Sequence, residues 1–255
     1  MLKILPTIWK LNILSCIEYR ASFLIQVVGM FLNDIVLIYM WYLFFQKFQT
    51  IGGLTFNEYI PLVSLMCIVF AWLSILFGGY WKISELIVNG GLDSYILLPK
   101  NILFKIISSV LYVSAIGDLF FGLALLIFLY KASLFFILKI LALSLIGSFA
   151  MLGFMVFFQS LSFFIGSSRE LSRAVFDAIL GPSFYPPKIF EGTFLKIVFM
   201  TVIPVFFTTF LPYKLAMDFS WNEFLILCFL FLIKKIRKRK YDEYKLGSRV
   251  IDQLL

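Results

Sequence analysis

The chain is built from apolar runs of about twenty residues or more, among them residues 21–46, 60–80, 108–130 and 134–165, separated by short polar steps. A run of that length covers the roughly 30 Å of hydrocarbon in a bilayer. Inside that layer every backbone amide and carbonyl needs an internal partner, so such runs fold as α-helices. Of the 255 residues, 62% are hydrophobic and 14% are charged, against roughly 45–50% apolar content in soluble domains. The expected fold class is an all-α, multi-pass integral membrane protein in which residues 1–255 form a single transmembrane domain.

Hydropathy predicts about six spans. After the four runs above, a fifth falls at residues 193–213, distorted by Pro204 and Pro212, and a last one at residues 221–233. Residues 174–192 are the ambiguous part. Arg173, Asp177, Lys188 and Glu191, with Pro182, Pro186 and Pro187, make them too polar and too broken for a lipid-facing helix. The alternative moves the fifth span into this stretch and turns residues 193–218 into a re-entrant hairpin from outside. Both alternatives leave the C-terminus on the inner side.

Charge placement orients the chain, because basic residues next to spans favour the cytoplasmic side. About a third of the 22 basic residues lie after Phe231, opening with "KKIRKRK" at 234–240. The segment 234–255 therefore reads as a basic cytoplasmic tail, not as a nucleic-acid-binding element. Lys82, Glu85, Asp93, Lys100 and Lys105 make residues 81–107 a cytoplasmic connection between the second and third spans. An even span number places the N-terminus inside as well, in a cell inner or plasma membrane. Residues 1–20 are read as an interfacial segment retained in the mature chain, although Ile8, Trp9, Leu11, Ile13 and Leu14 scatter around a helical wheel.

Several chemistries are excluded. There is no His in the chain, which removes imidazole acid–base catalysis and His-ligated metal sites. Cys16, Cys67 and Cys228 are far apart in apolar surroundings, with no CxxC, and read as packing residues. No GxxxxGK[ST], HExxH or GxSxG occurs. No catalytic residue, metal site or cofactor is expected in this chain. Tyr39, Trp41, Tyr42, Tyr80, Trp81 and Trp221 fall near span ends, where aromatic side chains form interfacial belts.

Two carboxylates stand inside predicted spans. Asp34 and Asp118 fall near the middle of the first and third, where an ionised carboxylate costs about 2.5–3.5 kcal/mol. They are candidates for the translocation path. The other reading pairs them with Lys139, Arg20 or backbone donors between helices, or keeps them protonated.

The stretch "NGGLDSYILLPKN", residues 89–101, concentrates turn chemistry in the cytoplasmic connection. Gly90 and Gly91 can end the helix that "YWKISELIV" begins. Asp93 can cap a new short helix, and Pro99 disfavours helix at Leu98. The expectation is a short helix between two breaks, serving as a docking element or as an ordinary loop. This stretch resembles the Gly-x-Leu-Asp-x-x-Leu-Leu-x-Pro pattern between spans two and three of short six-span ABC transporter permeases of the type-2 exporter superfamily. The matching positions are Gly91, Leu92, Asp93, Leu97 and Pro99; Leu98 stands where an arginine is often found. "IEYRASFL" before the first span and "KKIRKRKYDEYKLGSR" after the last are similar to that family's opening and closing segments.

The resemblance implies a permease subunit of an ATP-driven exporter. It would pair with a second permease, identical or paralogous, and with separate ABC ATPase subunits that hold the ATP and Mg. It also implies that the segment holding Glu85, Gly90, Gly91, Leu92, Asp93, Leu97 and Pro99 is the coupling helix seated on the ATPase. An ion-coupled secondary transporter using Asp34 and Asp118 is the alternative.

Overall fold

The computed structural model describes residues 5–96, 102–192, 194, 198 and 205–224. Among them there are helices and no strands. Three helical runs are long and apolar enough to cross a membrane: Arg20–Phe48, Phe56–Val88 and Leu134–Ile165; Ser114–Leu129 is a shorter apolar helix.

The central element is α3 (Phe56–Phe77), buried almost without a break from Tyr59 to Leu73. It is preceded by α1 (Leu5–Glu18) and α2 (Arg20–Phe48). The turn between α2 and α3 is set by Gly52 and Gly53, both with positive φ, and by the isolated bridge between Ile51 and Leu54. Thr55 and Glu58 then start α3 with a capping box, each side chain serving the other's backbone amide.

Beyond Phe77 the chain continues through a 3₁₀ turn (Gly78–Lys82) into α4 (Ile83–Val88), α5 (Leu92–Ile96) and α6 (Ile102–Ile107). The third predicted run, residues 108–130, is not continuous helix. The break after α6 is stabilised by Ser108 and Ser109 hydroxyls donating to Phe104 and Ile106 carbonyls, and by the Tyr112 amide donating to the Ser74 carbonyl at 3.2 Å. Then α7 (Ser114–Ala124) runs on through a π-helical turn, Leu125–Leu129.

α7 is wedged between α2 and α3. A Cβ on Gly117 would stand 2.5 Å from the Val27 carbonyl oxygen, so only glycine permits that helix approach. On the α3 side the Ser64 hydroxyl donates to the Gly122 carbonyl at 2.6 Å. Small residues and interhelical hydrogen bonds of this kind hold helices together where lipid removes the hydrophobic driving force.

After a tight turn with Lys131 at positive φ, Ser133 caps α8 (Leu134–Ser160). Next come α9 (Ser162–Ile165) and α10 (Arg169–Ser183). A 3₁₀ turn (Pro187–Phe190), a π-helical turn (Phe206–Phe210) and α11 (Leu211–Met217) complete the described elements.

Side-chain contacts fix the direction of each helix. At one end of the bundle, Ser84 meets Gln159, Ser162 and Ser168; at the other, Tyr59 meets Trp41, Phe45 and the Phe184 carbonyl. α2, α3, α7, α8 and α10 therefore pass in alternation between a Ser84 end and a Tyr59 end.

The ambiguous stretch is thereby placed. α10 covers residues 174–183 as one helix between the two ends. Thr209 then lies on Ser183 at 3.1 Å, and the Tyr213 hydroxyl donates to the Glu58 carbonyl, so residues 206–217 sit back at the end that α10 has reached. Among the described residues, then, the earlier of the two positions considered holds a helix. Most of residues 193–204, the predicted last span beyond Phe224 and the basic tail lie outside the described residues.

Two aromatic assignments are corrected. Trp41 and Tyr80 belong to the core, not to a belt: Trp41 packs among Phe45, Tyr59 and Tyr185, and Tyr80 is fully buried beside Trp81. Tyr39, Tyr42 and Trp221 are exposed, as interfacial residues require. α1 is likewise more than a surface segment. Trp9 and Asn12 donate to the Leu76 and Ser108 carbonyls, clipping α1 onto the Ser84 end, while Leu11, Ile13 and Leu14 face outward.

Candidate functional site

The polar connection after α3 forms a compact cap on the Ser84 end. α4 shows Lys82, Glu85, Val88 and Asn89 outward and packs Leu86 and Ile87 against the core. The helix stops at Asn89, and Gly90 takes φ +70°, the left-handed conformation that reverses a chain at a helix C-terminus.

α5 then starts at Leu92, one residue ahead of Asp93, so Asp93 stands in the first turn of the helix and not at its cap. Leu92 and Tyr95 pack on the core, and the exposed Ser94 hydroxyl donates back to the Gly91 carbonyl at 2.7 Å. Leu97 and Pro99 lie outside the described residues, as does the side chain of Asp93. Of the residues named from sequence, Glu85, Gly90, Gly91 and Leu92 are thus brought into one exposed turn whose hydrophobic underside is anchored.

The anchoring is tight. A Cβ on Gly79 would overlap the Ile106 carbonyl, so the strand of chain entering the connection and the helix leaving it touch backbone to backbone. Deeper in, a hydroxyl network ties α4 to the junction of α8, α9 and α10. Ser84 and Ser162 hydroxyls are 2.6 Å apart, Ser162 and Ser168 are 2.7 Å apart, and the Ser168 amide donates to both Ser84 and Ser162. The Gln159 side-chain carbonyl accepts from the Ser84 amide at 3.1 Å, and its carboxamide nitrogen is buried without a partner. A buried network of this sort is rigid because each lost partner leaves an unsatisfied group. Sequence reading missed it: serines separated by 78 and 6 residues have no periodicity that announces a contact.

Asp34 and Asp118 are brought together. They are 5% and 9% exposed, at the contact of α2 with α7, and their carboxyl groups lie within hydrogen-bonding reach of each other. One oxygen of Asp34 has no partner. Of the partners weighed from sequence, Lys139 is engaged elsewhere: it donates to the Ala216 carbonyl at 2.8 Å and lies over the Phe219 ring. Lys214 pairs with Glu223. Cys67 is buried and Cys16 is partly buried, and both are free thiols. Among the described residues no group of His, Cys, Asp or Glu could hold a metal ion.

A family model described as "ABC-2 family transporter protein" matches residues 31–237, more than half of the chain. No curated protein and no solved structure matches it.

Proposed function

Because the chain belongs to the ABC-2 family of transporter proteins, we propose that it is the permease subunit of an ATP-driven ABC exporter, forming the translocation path with a second permease copy. Family membership supports a membrane-embedded subunit of an ABC transporter; in this reading ATP hydrolysis takes place on separate ATPase partners. In this reading the Ser84 end is cytoplasmic and the Tyr59 end is external. A sixth span beyond Trp221 brings the basic tail back inside, and the complex sits in a cell inner or plasma membrane.

The observation that carries the proposal is the turn Glu85–Leu92. It is exposed and shaped by Gly90, yet locked to the helical body through Leu86, Ile87, Leu92 and the Ser84 network. A coupling element needs both properties: a face that a soluble partner can seat, as in helix-in-groove recognition, and stiff attachment to the helices it must move. Asp34 and Asp118, as path-lining candidates, require α2 and α7 to part, since both are buried between them.

The test is a mild-detergent pull-down from the native host, comparing the wild type with a Gly91→Pro, Asp93→Ala double variant. Recovery of a Walker-motif ATPase with the wild type, and its loss from a correctly inserted variant, is the expected result. Absence of any ATPase under conditions that preserve known complexes overturns the proposal and favours an ion-coupled carrier built on the Asp34–Asp118 pair.

A further inference from the structure

α1 lies against the Ser84 end of the bundle and touches it by one side. Trp9, Asn12 and Cys16, at helical spacing, turn inward, while Lys10, Leu11, Ile13, Leu14 and Ser15 are exposed. The Trp9 indole N–H donates to the Leu76 carbonyl and the Asn12 carboxamide to the Ser108 carbonyl, each at 3.2 Å. Both acceptors stand at helix ends, Leu76 in the last turn of α3 and Ser108 directly after α6. Carbonyls at such positions run out of partners within their own helix, so one turn of α1 serves two helix ends at once.

Those ends form the neck of the cytoplasmic connection. Gly79 and Ile106, a few residues inside them, touch backbone to backbone, and the Tyr112 amide donates to the Ser74 carbonyl at 3.2 Å. At its far end α1 passes into α2 through Tyr19 alone, whose carbonyl already accepts from the Phe23 amide at 3.0 Å. A single residue has two soft dihedrals with which to absorb movement, so a shift of α1 is passed on to α2. With α7, α2 encloses Asp34 and Asp118. The Ser84 network leads elsewhere, to the junction of α8, α9 and α10.

We propose that α1 is a lever that carries movement of the coupling connection to α2, with Trp9 and Asn12 as the positioning residues that grip the neck. The proposal rests on the permease reading and gives the connection two outputs. One runs through Ser84 to α8, α9 and α10. The other runs through α1 to α2, the helix that has to leave α7 before Asp34 and Asp118 can meet water or cargo. Each step is a hydrogen bond, a backbone contact or a covalent joint, the kind of contiguous link that coupling between distant sites can use.

The experiment uses the full complex purified with its ATPase, and reads amide hydrogen exchange with and without trapping by ATP and vanadate. In the wild type, trapping should change exchange both at Ile83–Val88 and in the first turns of α2. Trp9→Phe combined with Asn12→Leu removes both donors and keeps apolar bulk in their place. It should speed exchange at the Ser108, Ser109 and Tyr112 amides about ten-fold, the weight of two hydrogen bonds, keep the response of Ile83–Val88 and lose that of α2. Tyr19→Gly, at a position 72% exposed, loosens the joint and spares the grip; it should lose the α2 response with the neck at wild-type rates. Ser15→Ala, which removes a bond within α1, should change neither. An α2 that still answers trapping in either variant overturns the lever, as does a wild-type α2 that stays silent while the connection answers. A variant whose connection falls silent as well shows general loosening and also overturns it. Absence of the ATPase, or a wild-type connection that does not answer trapping, overturns the permease reading, and the lever falls with it.

Discussion

The Tyr59 hydroxyl donates a 2.7 Å hydrogen bond to the Phe184 carbonyl, joining the first turn of α3 to the C-terminal end of α10 across 125 residues. This contact, with the Ser84–Ser168 contact near the opposite end, ties both ends of α10 to the run of chain from α3 to α4. Tyr59→Phe should retain the ring contacts with Trp41 and Phe45 and lose only the hydrogen bond. The expected loss is about 0.6 kcal/mol, at most about 1.7, read as a small drop in thermal unfolding midpoint in detergent.

The serine network should behave differently from a surface hydroxyl. Ser162→Ala removes the group shared by Ser84 and Ser168 and leaves buried polar groups behind, a change worth about 1–3 kcal/mol. Amide hydrogen exchange across Ile83–Val88 should accelerate while that of α2 stays unchanged. Ser94→Ala, which removes an exposed bond within one turn, should leave exchange in α4 at the wild-type rate.

Three glycines should separate by environment. Gly117→Ala drives a methyl group into the Val27 carbonyl and should reduce the folded yield sharply. Gly29, in the same helix pair, has open space around its Cβ position; Gly29→Ala should stabilise α2 by up to about 1 kcal/mol. Gly90→Ala meets no atom but is held at φ +70°, and should cost roughly 1–2 kcal/mol confined to the connection. Thermal unfolding of the three variants side by side checks the order.

Asp118→Asn should be tolerated in assembly, because the carboxamide can donate to Asp34 across the same contact. Asp118→Leu should not be, since it strands a buried polar group, at a cost of about 1–3 kcal/mol or more. Monodispersity after size exclusion measures assembly, and transport measured on the same samples separates the roles. An Asn variant that assembles but no longer transports assigns the pair to the path; one that loses assembly alone assigns it to packing.

Much of this molecule was legible as a sequence because its causes are local. Apolar runs of the right length become helices wherever hydrocarbon forbids open backbone, and α2, α3 and α8 fall where residues 21–46, 60–80 and 134–165 predict them. Gly90 breaks the chain where a residue without a Cβ is needed. Tertiary structure alone decided which of those surfaces are hidden. Asp34 meets Asp118 from 84 positions away, and Trp41 and Tyr80 enter the core from span ends. Of the charges that argued against a lipid-facing span at 174–192, Arg173 and Asp177 are carried by α10 on an exposed face, and Lys188 and Glu191 lie beyond its end. Hydropathy averages around a helix and is blind to its partners, whereas a helix with one apolar and one charged face can cross hydrocarbon only where neighbours cover the first and water or protein receives the second.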